Sequence, residues 1–166
     1  MHSVLFVCTA NICRSPMAEG ILLEKTAVEK ENWRIASAGV FAEYGYPPAQ
    51  NTLMILLEKG IDLSERRSTP ISAELVQQYR LILTMEQGHK EALQAAFPDE
   101  AERTFLFSEM VGEYRDIVDP IGKALVDYRD TAQEIESILE RGFERIRALS
   151  SEPYDRNETS DLINPE

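Results

Sequence analysis

The sequence predicts an α/β fold: a single domain in which a four-stranded parallel sheet carries helices on both faces, with a phosphate-binding loop between the first strand and the first helix. Three observations lead there. Short apolar segments alternate with longer amphipathic ones along the chain, and the first apolar segment runs through a cysteine-bearing loop directly into a helix. The 166 residues, 43% of them apolar, suffice to bury one core without metal or disulfide support. Such alternation implies right-handed crossovers, with ligands bound beyond the carboxyl ends of the strands.

Val4 to Val7 form the first strand. A helix follows to about Lys30, with Ser15 as N-cap, Pro16 at the first helical position and Glu19 three residues on; Met17, Ile21 and Val28 lie near one face beside Ala18 and Leu22. Arg34 to Ser37 read as the second strand. A loop containing Tyr44, Gly45, Tyr46, Pro47 and Pro48 leads to a helix carrying Leu53, Leu56 and Leu57, which Gly60 terminates. Ser72 caps a short helix through Gln78, and Arg80 to Leu83 form a third, buried strand. Thr84-Met85-Glu86-Gln87 is a capping-box pattern that opens a helix ending near Phe97-Pro98. Thr104 to Leu106 are the fourth strand. One last helix, about Gly122 to Leu149, aligns Ile135, Ile138, Leu139, Phe143, Ile146 and Leu149 along a stripe. Residues 1–149 are thus the expected domain, and 150–166, with five acids and one Arg, an expected flexible acidic tail.

A net charge of -12 argues against nucleic acid and anionic membranes as partners, since both need a basic face. No apolar run approaches a membrane span, and the N-terminus lacks a signal-peptide pattern, so a cytoplasmic location is expected. Two cysteines at close spacing do not form a secreted disulfide framework. His2 and His89 are far apart without ligand partners, which places them at the surface and predicts no metal and no cofactor.

The informative stretch is Cys8-Thr9-Ala10-Asn11-Ile12-Cys13-Arg14-Ser15, a Cys-x5-Arg loop entering a helix. A thiol attacks as thiolate, which is favoured beside a cation and at a helix N-terminus. Arg14 can grip two oxygens of a phosphate while loop N–H groups take the others, leaving Cys8 to face the phosphorus. Phosphate-ester cleavage also needs a proton for the leaving oxygen, and by residue type Asp116, Asp119, Asp127 and Asp130 are equal candidates.

Residues 7 to 19 resemble the signature of low-molecular-weight protein tyrosine phosphatases, approximately Val-Cys-x-Gly-Asn-x-Cys-Arg-Ser-Pro-x-Ala-Glu, with Ala10 where Gly is usual. Asp119-Pro120 is similar to the family's Asp-Pro pair, and Glu31 to Gly39 resemble its second strand, so the likeness spans about residues 3 to 149. The resemblance implies a two-step reaction through phosphocysteine on Cys8, with Arg14 binding phosphate and Asp119 as general acid and base. It also implies that Asn11 and Ser15 support the loop, that Ser37 bonds Asn11, and that Cys13 can pair reversibly with oxidised Cys8. Were the backbone at Ala10 to need a positive φ, Ala would cost about 1 kcal/mol relative to Gly. Arg66-Arg67 stand where many relatives carry His.

By position in the family, Ile12, Phe41, Tyr44, Tyr46 and Ile121 wall the substrate pocket, which favours phosphotyrosine-containing proteins as substrates. Relatives acting on phosphoarginine carry Thr where Ile12 stands, so arginine phosphatase is the alternative. A thioredoxin-coupled arsenate reductase would need further cysteines. A phosphocysteine carrier would need neither Arg14 nor Asp119, and a binding module would need no intact Cys8.

Overall fold

The computed structural model describes residues 1–151, so all but Ser150 and Ser151 of the expected tail lies outside the described residues. The strands are β1 (His2–Cys8), β2 (Trp33–Gly39), β3 (Leu81–Thr84) and β4 (Thr104–Leu106). The helices are α1 (Arg14–Lys25), α2 (Gln50–Glu58), α3 (Ala73–Val76), α4 (Gln87–Ala96), α5 (Leu125–Arg141) and α6 (Phe143–Ser150). All strand pairs are parallel, in the order β2-β1-β3-β4. The expected sheet is therefore present.

Strand alternation divides the core in two. Val4, Phe6 and Cys8 of β1 with Leu81 and Leu83 of β3 pack against α1, α2, α5 and α6, whereas Leu5, Val7 and Ile82 pack against Val76 of α3 and Leu93 of α4. Helices thus cover both faces, which is why β1 is apolar from Val4 to Cys8 and β3 from Leu81 to Leu83. The register pairs Val7 with Thr84, so the segments leaving β1 and β3 emerge side by side at the carboxyl edge.

Four expectations need correction. Helix α1 starts at Arg14, with Cys13 and not Ser15 at its N-cap, and ends at Lys25, where Thr26 Oγ1 donates to Leu22 O at 2.8 Å. A 3-10 segment, Ala27–Asn32, then changes the phase of the chain and leaves Val28 98% exposed. Leu57 is also exposed, because the buried stripe of α2 is Thr52, Ile55 and Leu56. The final helix is two: a Cβ at Gly142 would lie 3.0 Å from Met110 Cβ, and this close approach breaks the run between α5 and α6. Thr84 ends β3 and donates to Phe105 O at 3.2 Å, so it is no cap; Glu86 precedes α4, its carboxylate is turned elsewhere, and the helix's first N–H, at Gln87, is taken by Asp116 Oδ1 at 2.8 Å. Ser72 does cap α3, accepting from Leu75 N at 3.2 Å. Ser150 is fully buried at the end of α6, and Ser151 bridges to His2.

Candidate active site

Cys8 ends β1, residues 9–13 curl, and Arg14 opens α1. The loop is held from outside by three carbonyls: Cys8 O accepts from Val40 N at 3.0 Å, Thr9 O from Phe41 N at 2.9 Å and Ile12 O from Ala49 N at 2.8 Å, while Cys13 O accepts from Met17 N at 3.2 Å in the first turn of α1. No peptide among the described residues is cis, and a trans peptide sends its C=O and the next N–H to opposite sides. The N–H groups of Thr9, Ala10 and Cys13 are therefore left on the side away from those outside partners, as in an anion-binding nest, and these residues line one cleft. Gly39 makes this close approach feasible, since a Cβ there would lie 2.5 Å from Thr9 O and 3.0 Å from Asn11 N.

Asn11, not Ala10, carries the loop's positive φ, +58°, so the absence of Gly at position 10 costs the backbone nothing. Its side chain is a hub. Nδ2 donates to Ser15 Oγ at 2.8 Å and to Ser37 Oγ at 2.9 Å, while Oδ1 accepts from Thr69 N at 2.9 Å and Arg66 Nη2 at 3.3 Å. With both amide hydrogens committed, Ser15 Oγ accepts from Asn11, and its own hydrogen is free for Cys8 Sγ at 2.9 Å or Ala38 O at 3.5 Å, so that it can donate to Cys8 when the thiol is ionised. Arg66 in turn donates through Nη2 to Ser37 O at 2.5 Å and grips Glu19 through Nε at 3.0 and 3.1 Å. Burial raises the Glu19 carboxyl above its ordinary value, against the pull of Arg66 and of a hydrogen bond from Ser37. Arg66 thus fills the place where relatives were expected to carry His, whereas Arg67 bonds only carbonyls at the exposed surface.

Arg14 is 1% exposed. Nη1 donates to Glu86 Oε1 at 2.5 Å and to Ile117 O at 2.8 Å, which uses both its hydrogens. Nη2 reaches Asp119 Oδ2 at 3.3 Å and Thr9 Oγ1 at 3.4 Å. Asp119 Oδ1 accepts from Ile121 N at 3.1 Å. The Asp119 segment is docked by Ile117, whose side chain is buried and whose N–H donates to Met85 O at 2.8 Å. The cleft of about 190 Å³ is lined by Cys8, Thr9, Ala10, Ile12, Cys13, Arg14, Asp119 and Ile121.

Phe41 and Tyr46 line a separate, adjoining groove of about 480 Å³ that shares only Ala10 and Ile12 with the cleft. Tyr44 is 78% exposed and lines neither. The loop after β2 folds back onto Ser68, which accepts from Tyr46 N at 2.9 Å, and Phe41 and Tyr46 stand in the groove that joins the cleft at Ala10 and Ile12. Cys13 is buried with its thiol pushed up to about 11 by burial, within 3.7 Å of Tyr128 Oη. Both cysteines are free.

Sequence reasoning missed Glu86, Ile117, Arg66 and His89. His89 was expected at the surface; it is buried, with Nε2 2.9 Å from Thr9 Oγ1, because the first turn of α4 leaves β3 beside the loop leaving β1. The signal was available in part. In a parallel sheet, residues just after one central strand meet those just after its neighbour, so Glu86-x-x-His89 at a helix start belonged beside Cys8. No helix among the described residues is long and apolar enough to cross a membrane.

The family model for low molecular weight phosphotyrosine protein phosphatases matches residues 3–151. The chain belongs to this family. It is 36% identical over 147 residues to a protein-arginine-phosphatase of Geobacillus stearothermophilus, covering 88% of this chain and 97% of that one. It is 34% identical over 149 residues to a probable low molecular weight protein-tyrosine-phosphatase of Ralstonia nicotianae, covering 90% and 99%. Among solved structures, a low molecular weight protein tyrosine phosphatase from T. tengcongensis superposes with a TM-score of 0.83 at 38% identity, covering 87% of this chain and 99% of that one. The protein is accordingly a hydrolase of this phosphatase family, one whose members act on phosphoproteins.

Proposed function

We propose that the protein hydrolyses phosphotyrosine on proteins through a phosphocysteine intermediate. The observation that carries the reading is the loop itself: carbonyls of Cys8, Thr9 and Ile12 bonded to segments outside it, and Cys8, Arg14 and Asp119 lining one cleft. Cys8 Sγ attacks phosphorus as the bond to the leaving oxygen breaks, and Asp119 supplies that oxygen's proton. Water then attacks phosphorus, giving its proton to Asp119 and releasing the thiolate. Arg14 Nη2 and the loop N–H groups hold the charge that spreads over the equatorial oxygens.

Ile12 and Ile121 give the cleft apolar walls, which pack on an aryl ring and offer nothing to a guanidinium. A nucleophile only 3% exposed also suits the reach of phosphotyrosine better than that of phosphoserine. Phosphoarginine is the second reading, because relatives named protein-arginine-phosphatases are as similar to this chain as those named tyrosine phosphatases.

Turnover of the three phosphoamino acids tests both. Phosphotyrosine is expected fastest, with Ile12→Thr shifting the preference toward phosphoarginine; a higher kcat/KM on phosphoarginine in the unmodified protein overturns the substrate assignment alone. Cys8→Ser is expected to abolish turnover yet keep phosphate binding, and substantial residual turnover refutes the thiol mechanism.

A further inference from the structure

The first turn of α4 touches the phosphate loop at two points. Glu86, its N-cap, binds Arg14 Nη1 at 2.5 Å, and His89, three residues on, meets Thr9 Oγ1 at 2.9 Å, one residue after Cys8. These two contacts are coupled. Thr9 Oγ1 also accepts from Arg14 Nη2 at 3.4 Å, and Glu86 Oε2 lies 3.8 Å from His89 Nε2. His89, Thr9, Arg14 and Glu86 therefore form a closed ring of contacts around the guanidinium. His89 is 6% exposed, and its Nδ1 has no hydrogen-bond partner among the described residues. A buried imidazole with one nitrogen unpaired is costly unless its other bond contributes something in return.

We propose that His89 is a positioning residue for the phosphatase reaction: as a neutral ring it fixes Thr9, and through Thr9 and Glu86 it holds Arg14 Nη2 in the cleft. The proposal rests on the reading of Cys8 and Arg14 as the reacting and phosphate-binding groups. Protonation would work against it. An imidazolium would place a second N–H in an unpartnered buried position and a positive charge beside Arg14, and it would draw Glu86 away from Nη1. The ionisable groups facing the ring are Glu86 on α4, Arg14 on α1, and Asp116 and Asp119 on the segment before α5. Burial outweighs the three carboxylates and holds the ring's titration below the ordinary histidine value. Burial thus defers protonation of the ring to more acidic pH than an ordinary histidine's, and the brace weakens as pH falls through that lowered range.

The test uses His89→Leu, His89→Gln, Thr9→Val and the Leu/Val double variant, with para-nitrophenyl phosphate turnover from pH 4.5 to 8. Gln places an amide nitrogen near the position of Nε2 and does not titrate. His89→Leu is expected to lower kcat about fivefold to tenfold with KM changed less than about twofold, the loss of one positioned hydrogen bond. His89→Gln should recover most of that loss at pH 7 and remove the step in kcat that His89 imposes on the acid side. In the Thr9→Val background, His89→Leu should cost less than about twofold more, because the ring acts through Thr9. Equal losses in the two Thr9 backgrounds, a His89→Gln variant as slow as His89→Leu, or an acid limb unchanged in His89→Gln would each overturn the proposal. Should His89→Leu fail to fold, the pH profile of His89→Gln decides alone. An unmodified protein without turnover would overturn the active-site reading together with this one, whereas normal turnover indifferent to His89 overturns only this one.

Discussion

Replacing Asn11 separates two contributions to the loop's stability. Asn11→Ala deletes four hydrogen bonds at a site 2% exposed, a long one of 3.3 Å from Arg66 and three of 2.8–2.9 Å, to Ser15, Ser37 and Thr69 N, of which the three short ones set the magnitude. At about 1 kcal/mol each, that is about 3 kcal/mol. Ala must also adopt the φ of +58°, adding about 1 kcal/mol. The total, about 4 kcal/mol, is a large share of the roughly 5–15 kcal/mol that holds a domain folded. Asn11→Gly loses the same bonds but not the backbone preference and should cost about 3 kcal/mol. In urea, with a slope of about 2 kcal/mol per M, the midpoints should fall by about 2 M for Ala and about 1.5 M for Gly. The slope itself should not change. A fall of less than about 0.5 M for Ala would show that the hub does not stabilise the loop, and a Gly variant less stable than Ala would refute the assigned backbone strain.

Four further outcomes follow from the same geometry. Arg14→Lys should lose turnover nearly as completely as Cys8→Ser, since a single ammonium nitrogen cannot stand both where Nη1 meets Glu86 and Ile117 O and where Nη2 faces the cleft; near-normal steady-state rates would show that Arg14 is not a phosphate ligand. Asp119→Asn should slow aryl phosphates with poor leaving groups far more than those with good ones, and equal slowing would point to another acid. Gly39→Ala should lower thermal stability and turnover together, because its Cβ would meet Thr9 O at 2.5 Å; unchanged kcat would show that the loop tolerates displacement. After mild peroxide, capture of oxidised Cys8 by Cys13 requires the Cys13 thiolate, whose fraction rises about tenfold per pH unit below a value of about 11. Disulfide formation, followed by mass spectrometry, should accelerate accordingly between pH 7 and 9, and a flat rate would exclude Cys13 as the resolving thiol.

What the sequence made legible is what local physics decides. Four apolar residues in β1, alternating helices and the Cys-x5-Arg loop specified the sheet and the cleft, because each depends on burial or on backbone geometry within one turn. The errors arise where tertiary contact outweighs a local signal. Thr84-Met85-Glu86-Gln87 is a sound capping pattern, yet Thr84 stays in β3 and donates to Phe105 O across the sheet, while Glu86, left at the N-cap, gives its carboxylate to the buried Arg14. Phe41 and Tyr46 have the residue types of a ring-binding wall, but the fold-back of their loop onto Ser68 is fixed by contacts 22 to 25 residues away in sequence. His89 looked solvent-exposed because nothing in its own helix demands burial; the register of β1 on β3 demands it.

On the proposed reading, in which Arg14 binds phosphate and Asp119 is the acid, the same distances bear on how Arg14 would pass from rest to binding. It faces two carboxylates, Glu86 at 2.5 Å and Asp119 at 3.3 Å, and only the second lines the cleft. In a chain of net charge -12, a dianionic phosphate gains nothing from the long-range field, so it must displace a partner of Arg14 locally. The longer contact is the one to yield. A phosphate oxygen taking Nη2 frees Asp119, which its Oδ1 bond to Ile121 N keeps over the cleft and available to the leaving oxygen. Glu86 and Ile117 O meanwhile keep both Nη1 hydrogens, so the guanidinium plane does not turn as the exchange occurs. On that reading, anion binding and release of the candidate acid would be a single event, set by the difference between one short ion pair and one long one.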